Sequence, residues 1–255
     1  FNKSSSTPVF TFATGGPIYS SPSIFEYSGN VTVYFGSDDY YLYAVTIYPD
    51  DTTSWGRYQA DAEVGTSPAI MSDGSVIFGS YGGMIYKMNP DGSIQSYNLG
   101  AVYTTFSSPT ISPSGNIYIG VIDITSNTGI IYSFTSSLSL RWTYTAPTGD
   151  ADCNSGVDSS IYSSPSVISD YIAFTTNNGC LYLIRDDGTS ASLKWKRNIG
   201  PAASSDNYYS SPTVEPSRRI LWVGSESGLT GIYVTDIISD DWSKFKRDLK
   251  NTSKR

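Results

Sequence analysis

Short apolar runs alternate with polar turn residues along almost the whole chain, and no window carries a helical period. The unit is cleanest from Thr66 to Gly100. Ala-Ile follows Thr-Ser-Pro, Val-Ile-Phe-Gly-Ser follows Asp-Gly, Met-Ile-Tyr-Lys-Met follows Gly-Gly, and Ile-Gln-Ser-Tyr follows a second Asp-Gly. Asp-Gly and Gly-Gly between β-formers are hairpin signals, because glycine takes the positive φ that tight primed turns require. The pattern predicts a four-stranded antiparallel meander.

That unit recurs. A Ser-Pro landmark stands at Pro22, Pro68, Pro109, Pro165 and Pro212, with spacings of 46, 41, 56 and 47 residues, the period of propeller blades. An aromatic residue precedes Ser-Ser-Pro in four copies (Tyr19, Phe106, Tyr162, Tyr209), and Gly65 is the exception. The second run reads Val33-Tyr34-Phe35-Gly36, Ile117-Tyr118-Ile119-Gly120 or Leu221-Trp222-Val223-Gly224, and the third carries an aliphatic-Tyr pair in each copy, ending with Ile232-Tyr233. A fourth run follows in four copies only, and Pro8-Val9-Phe10-Thr11-Phe12 stands ready at the front to supply the fifth. The expectation is an all-β chain. It is a five-bladed β-propeller of four-stranded antiparallel blades starting near residues 18, 64, 105, 161 and 208. The N-terminal strand completes the last blade and removes the open edges. Residues 1–241 then form the propeller and 242–255 a separate basic tail. The alternative is an open arc of a larger ring.

Composition narrows the function classes. The chain has 255 residues, a net charge of −7 and no histidine. The charge argues against a general nucleic-acid binder. Without histidine the commonest general base, the usual serine-protease triad and most zinc sites are excluded. No apolar run reaches the length that crosses a bilayer, so no membrane insertion is expected. A start at Phe1-Asn2-Lys3 reads as processed or trimmed, with any targeting segment already removed.

The unit Tyr19-Ser20-Ser21-Pro22, Phe35-Gly36-Ser37-Asp38-Asp39 and Leu42-Tyr43-Ala44 resembles the PQQ-like (quinoprotein-like) propeller repeat, and the likeness covers residues 9–238. The resemblance implies the fold and is nearly silent on activity, since such repeats serve enzymes, scaffolds and sensors. Family members that use the quinone are longer, usually eight-bladed, with adjacent cysteines. This chain has five units and no adjacent cysteines, and no cofactor is expected. The tail resembles a Trp-Pro-Met-Phe-x-x-Asp-x-x-x-Thr-Gly box that flanks such propellers. Trp242, Phe245, Asp248, Asn251 and Thr252 match, while Ser243, Lys244 and Ser253 depart from it.

Candidate chemistry is sparse. Cys153 lies in the insert of residues 146–160 and Cys180 begins a third strand. They suit a disulfide in an oxidising compartment, and Cys180 alone would also suit a small core position. Asp150, Asp152, Asn154, Gly156 and Asp158 have a calcium-loop alternation, but the glycine is one place late and no bidentate Glu follows, so a solvated acidic loop is expected and no metal. Sequons stand at Asn2, Asn30 and Asn251, and with the cysteines they point to an extracellular or secreted glycoprotein. Acidic pairs at Asp38-Asp39, Asp50-Asp51, Asp186-Asp187 and Asp240-Asp241 invite a glycoside hydrolase reading. That chemistry needs two carboxyls facing one cleft, and these pairs sit at turns.

The expected function is therefore a non-catalytic structural or interaction module whose partner is protein, first of all another copy. Six of the chain's 16 basic residues fall in 242–255 against one acidic residue. Trp242 and Phe245, with Lys246 and Arg247, make that tail a candidate docking segment that would propagate as a filament if it bound the next molecule. A lectin-like propeller recognising glycans or proteins is the main alternative, and a glycosidase-type enzyme the second.

Overall fold

A computed structural model describes residues 10–154, 158–201, 210–215, 218–225 and 228–234. Every regular element among them is a strand. They form five antiparallel sheets in chain order. The first contains β1 (Ser23–Tyr27), β2 (Asn30–Ser37), β3 (Tyr41–Ile47) and β4 (Thr53–Gln59); the second β5 (Ala69–Ile70), β6 (Val76–Gly79), β7 (Met84–Met88) and β8 (Ile94–Asn98). In the third, β9 (Tyr103–Thr104) joins the meander of β10 (Thr110–Ile111), β11 (Ile117–Asp123), β12 (Thr128–Phe134) and β13 (Leu140–Thr145) by pairing the far end of β11. The fourth holds β14 (Ser166–Ile168), β15 (Tyr171–Thr176), β16 (Cys180–Asp186) and β17 (Ala191–Asn198). The fifth holds β18 (Thr213–Glu215), β19 (Ile220–Ser225) and β20 (Gly228–Tyr233).

Consecutive sheets stand side by side, because β1 lies against β5, β5 against β10, β10 against β14 and β14 against β18. Middle strands of the second, third and fourth sheets are apolar on both faces and read as nearly continuous buried runs in β6, β11 and β16. The core is therefore a series of layers between sheets. The four-stranded meanders match the sequence pattern. The turns differ from it in detail. At Asp73-Gly74 and Asp91-Gly92 the hairpin is longer than a two-residue primed turn: the Met71 amide donates to Ser75 O and the Gly74 amide to Met71 O, with the same arrangement from Asn89 to Ser93. Only the glycine is left-handed, at φ 85 and 82, and the Asp carboxylates instead accept from the Ser75 and Ser93 amides. These are type I turns closed by a left-handed residue. Ser28-Gly29, at φ 51 and 81, is the two-residue primed turn.

Register corrects one repeat feature. The residue paired with the second-strand Gly or Thr is Leu42, Ile85, Ile131 and Leu181 in the first four sheets, and the next residue is Tyr in each. In the fifth sheet Gly224 pairs with Leu229, so the equivalent pair is Leu229-Thr230, and Ile232-Tyr233 falls three residues later. Spacing alone hid this shift, because Leu229 follows its partner Gly224 by five residues where Leu42 follows Gly36 by six.

The expected closure is not among the described pairings. Residues 10–12 belong to no strand, and β20 pairs with β19 alone. Phe12 instead packs edge-on to Tyr43 at 5.4 Å and 66°, in the manner of Tyr58 on Tyr86 at 5.5 Å and 62°. Tyr58 belongs to the fourth strand of the sheet before Tyr86. Phe12 therefore occupies a fourth-strand position relative to the first sheet.

Candidate functional site

The Ser-Ser-Pro landmark is the joint between sheets. Its first residue clips its own sheet. Ser20 Oγ accepts from the Gly36 amide at 2.7 Å and donates to Gly36 O at 2.8 Å, and Thr66 with Gly79 and Ser163 with Thr175 do the same. Glycine is required at position 36 because a Cβ there would lie 2.2 Å from Val64 O, which arrives from the loop before the second sheet.

The second serine links neighbours. The Ser21 amide donates to Ser67 Oγ at 2.8 Å, Ser67 to Ser108 at 2.9 Å, Ser108 to Ser164 at 3.0 Å and Ser164 to Ser211 at 2.9 Å. A parallel series runs from the hydroxyl after the proline to the next proline's carbonyl: Ser23 to Pro68, Thr110 to Pro165 and Ser166 to Pro212. Ala69 interrupts that series for want of a hydroxyl. The link that would join Ser211 back to Ser21 is not formed among the described residues.

The aliphatic residue opposite the glycine is a knob buried by the following sheet. Leu42 sits with Val64, Val76 and Phe78, and Leu181 with Leu221 and Val223. Leu42, Ile85, Ile131 and Leu181 are at most 1% exposed, whereas Leu229 is 71% exposed. At the opposite end Ile24, whose counterparts Ile70, Ile111, Val167 and Val214 pack into the inter-sheet clusters, is 60% exposed. Ile24 and Leu229 are thus exposed at the two ends of the described row, while Phe35, Tyr43 and Val45 on the first sheet are buried with Phe12 packed against them.

A second feature lies at one rim. Gly65 breaks the aromatic-Ser-Ser-Pro rule because Tyr81 Oη lies 1.8 Å from where a Gly65 Cβ would be. Tyr81 thereby supplies the missing ring and starts a row with Phe106 at 4.6 Å and Tyr162 at a further 5.3 Å. Next to it burial, Glu63 and Asp39 push the Asp38 carboxyl up, and burial, Asp38 and Glu63 push Tyr81 up. At the other rim a cavity of about 680 Å³ opens between the β5–β6 and β10–β11 turns, lined by Met71, Asp73, Ser112, Ser114 and Ser136 among others.

One member of each of three acidic pairs serves the frame, while Asp38 Oδ1 and Asp39 Oδ1 are buried without a hydrogen-bond partner. Asp186 Oδ2 accepts from Tyr118 Oη at 2.6 Å and Arg141 Nη1 at 2.5 Å, and Oδ1 from Trp142 Nε1, Arg141 Nη2 and the Gly188 amide at 2.8–3.0 Å. This network fastens the third sheet to the fourth. Asp39 accepts from the Gly15 amide and Tyr43 Oη, and Asp50 from Thr52. Asp240-Asp241 lies outside the described residues.

Cys153 and Cys180 form a disulfide, and both are fully buried beside Phe174 and Tyr182. Lys196 Nζ holds the same insert by Asp150 and Asp152. Those two carboxylates therefore face a cation of the chain itself, and Asn154 Nδ2 donates to Asn178 O and Gly200 O. Asn30 opens β2 after the Ser28-Gly29 turn and is half-buried. Asn2, Asn251, Trp242, Phe245, Lys246 and Arg247 lie outside the described residues. The serine relay and the Tyr81 substitution were missed by sequence reasoning. The repeated second serine was their visible signal in the first case, and Gly65 in the second.

No family model matches the chain, and no curated protein matches it in sequence. Solved structures do match. BamB from Moraxella catarrhalis superposes with a TM-score of 0.61 at 14% identity, over 87% of this chain and 62% of that one. A europium-containing methanol dehydrogenase gives 0.61 at 12%, over 88% and 53%. The fold is the PQQ-type β-propeller fold. The quinohemoprotein alcohol dehydrogenase ADHIIG from Pseudomonas putida HK5 follows at 0.58 and 12%, over 88% and 43%. The chain thus spans less than two thirds of the length of each of these propeller proteins.

Proposed function

We propose that this chain is a non-catalytic, extracellular propeller module that builds or joins a protein assembly. Its five sheets act as consecutive blades, and the segment at Phe10 to Phe12 acts as the strand that completes the last blade. The observation that carries this reading is the employment of the acidic side chains. Asp186, Asp39 and Asp50, the members of the acidic pairs that the described residues hold most firmly, are bound by structural donors. Two carboxyls facing one cleft would instead be the mark of a glycosidase. The buried disulfide supports a secretory setting. The basic tail, with Trp242, Phe245, Lys246 and Arg247, remains a candidate docking segment for an acidic body on sequence grounds.

A lectin-like role has one observation of its own, the aromatic row Tyr81–Phe106–Tyr162, whose middle ring is 40% exposed. Rings presented in a row suit stacking on sugar faces. Three measurements separate the classes. A structural module gives no glycan-array binding and no glycoside turnover, and its sedimentation mass exceeds one chain. Specific glycan binding that is lost in Phe106→Ala would replace the assembly reading by the lectin one. Turnover abolished by neutralising one carboxylate would replace it by the enzyme one.

A further inference from the structure

We propose that Asn30 carries an N-linked glycan whose first sugar lies on the ring of Tyr27, a reading that rests on the extracellular setting proposed above and not on assembly.

Asn30-Val31-Thr32 has the Asn-x-Thr pattern that N-glycosylation requires. Three features of the β1–β2 hairpin separate it from a chance occurrence. The first is its place. Ser28-Gly29, at φ 51 and 81, forms the two-residue turn, so Asn30 stands where the chain leaves the hairpin tip. The second is the freedom of its amide. Among the described residues no hydrogen bond engages the Asn30 side chain. Asn89, Asn116 and Asn154 instead donate from Nδ2, and Asn98 and Asn198 accept at Oδ1, to fasten turns of the frame.

The third is its neighbour across the hairpin. Tyr27 pairs directly with Asn30 and Phe25 with Thr32, so all four side chains share one face of the first sheet. Tyr27 is 70% exposed, and the Phe25 ring runs parallel to it at 6.3 Å and 5°. Phe25 lies in turn against the β5–β6 turn, where a Cβ on Gly74 would come within 3.1 Å of its ring. A ring so open beside a free amide is a platform. A sugar on Asn30 Nδ2 sets its apolar C–H face against Tyr27 and keeps its hydroxyls in water. Phe12 packs with Val33 and Val45 on the other face of the sheet and does not compete for that ring.

The donor is a lipid-diphosphate-linked oligosaccharide of the secretory pathway. Asn30 Nδ2 bonds to the anomeric carbon of the first sugar as that carbon's bond to the diphosphate oxygen breaks. The amide nitrogen gives up one proton, and the lipid diphosphate leaves. In the finished sheet the Thr32 hydroxyl is engaged by Thr46 Oγ1 at 2.9 Å. Transfer therefore belongs to the unfolded chain, and the fold has only to leave room for its product.

The test is expression of the full chain through a eukaryotic secretory pathway, with peptide mapping whether the chain is secreted or retained. Asn30 should carry a glycan in most molecules. Asn30→Gln and Thr32→Ala should lose it, and Thr32→Ser should keep it. Melting reads the contact with Tyr27. A chain trimmed to its first N-acetylglucosamine should melt higher than Asn30→Gln, and in a Tyr27→Ala background the two should melt together. Tyr27 is exposed, so Tyr27→Ala in the Asn30→Gln chain should leave the melting unchanged. A bare Asn30 would overturn the proposal. So would a sugar that raises the melting equally without Tyr27, or not at all with it. The cysteines of the same material keep the two readings apart. A bare Asn30 beside an intact Cys153–Cys180 bond sinks the glycan and spares the extracellular setting, whereas free thiols at both cysteines would sink that setting.

Discussion

Leu181 and Leu229 hold the same position on adjacent sheets, each paired with the residue that the first Ser of the landmark clips. One is fully buried and the other 71% exposed. The difference is not in the residues. It lies in whether a further sheet follows, and it shows that the knob, the serine relay and the fourth-strand ring are parts of one joint that forms only when two units meet. The described residues hold four such joints.

The most severe way to break an interior joint is through Asp186. Its side chain is 6% exposed, that of its partner Arg141 14%, so Asp186→Ala strands a cation and two ring donors between the third and fourth sheets. Breaking one side of such a buried pair costs about 3–5 kcal/mol, readable in urea unfolding. The pair also sets an acid limit. Burial raises the Asp186 carboxyl, but the bonds from Arg141, Tyr118, Gly188 and Trp142 overcome it and hold it below the ordinary carboxylate range. Its contribution is then complete above the unfolded value of about 4 and is lost as pH falls through the lower folded value. Asp186→Asn should flatten the fall in stability below about pH 4. A profile as steep as that of the unmodified chain would remove Asp186 as its source.

The leucine pair itself comes next. Leu181→Ala should cost about 2–5 kcal/mol, as buried Leu truncations do, whereas Leu229→Ala should stay within about 0.5 kcal/mol in the monomer, as exposed substitutions do. Equal costs would mean that Leu229 is covered in solution by its own chain.

How much of this the sequence displayed depends on the scale of the signal. The strand runs, the sheet order and the disulfide partners were visible because each residue type acts locally or in the same repeat. Tyr81 was not, because a ring in the β6–β7 turn substitutes for one expected at Gly65, and only the fold brings the two together. The fifth sheet's register was misread for a related reason: Ile232-Tyr233 repeats the pair in letters, while the strand pairing selects Leu229-Thr230. The Tyr81 exchange can be sharpened into a measurement. Gly65→Ala should cost about 1–2 kcal/mol, the lower range for overpacking, because a tyrosine tip must move. The same change in a Tyr81→Ala background should cost less, and the coupling is the non-additive remainder. Additive costs would separate the two positions.

The smallest effect gives the cleanest contrast, because it changes one atom at equivalent sites. Ser67, Ser108, Ser164 and Ser211 each accept the amide of the preceding landmark serine. Truncating Ser67, Ser108 or Ser164 to Ala leaves that amide without its acceptor and should cost about 1 kcal/mol. Ser21 has the same sequence context, yet no amide donates to its Oγ among the described residues. Ser21→Ala should therefore leave the melting unchanged, while Ser67→Ala should lower it. If Ser21→Ala lowers monomer stability as much as Ser67→Ala does, the chain already satisfies Ser21 internally, and the end described as open is a fifth interior joint.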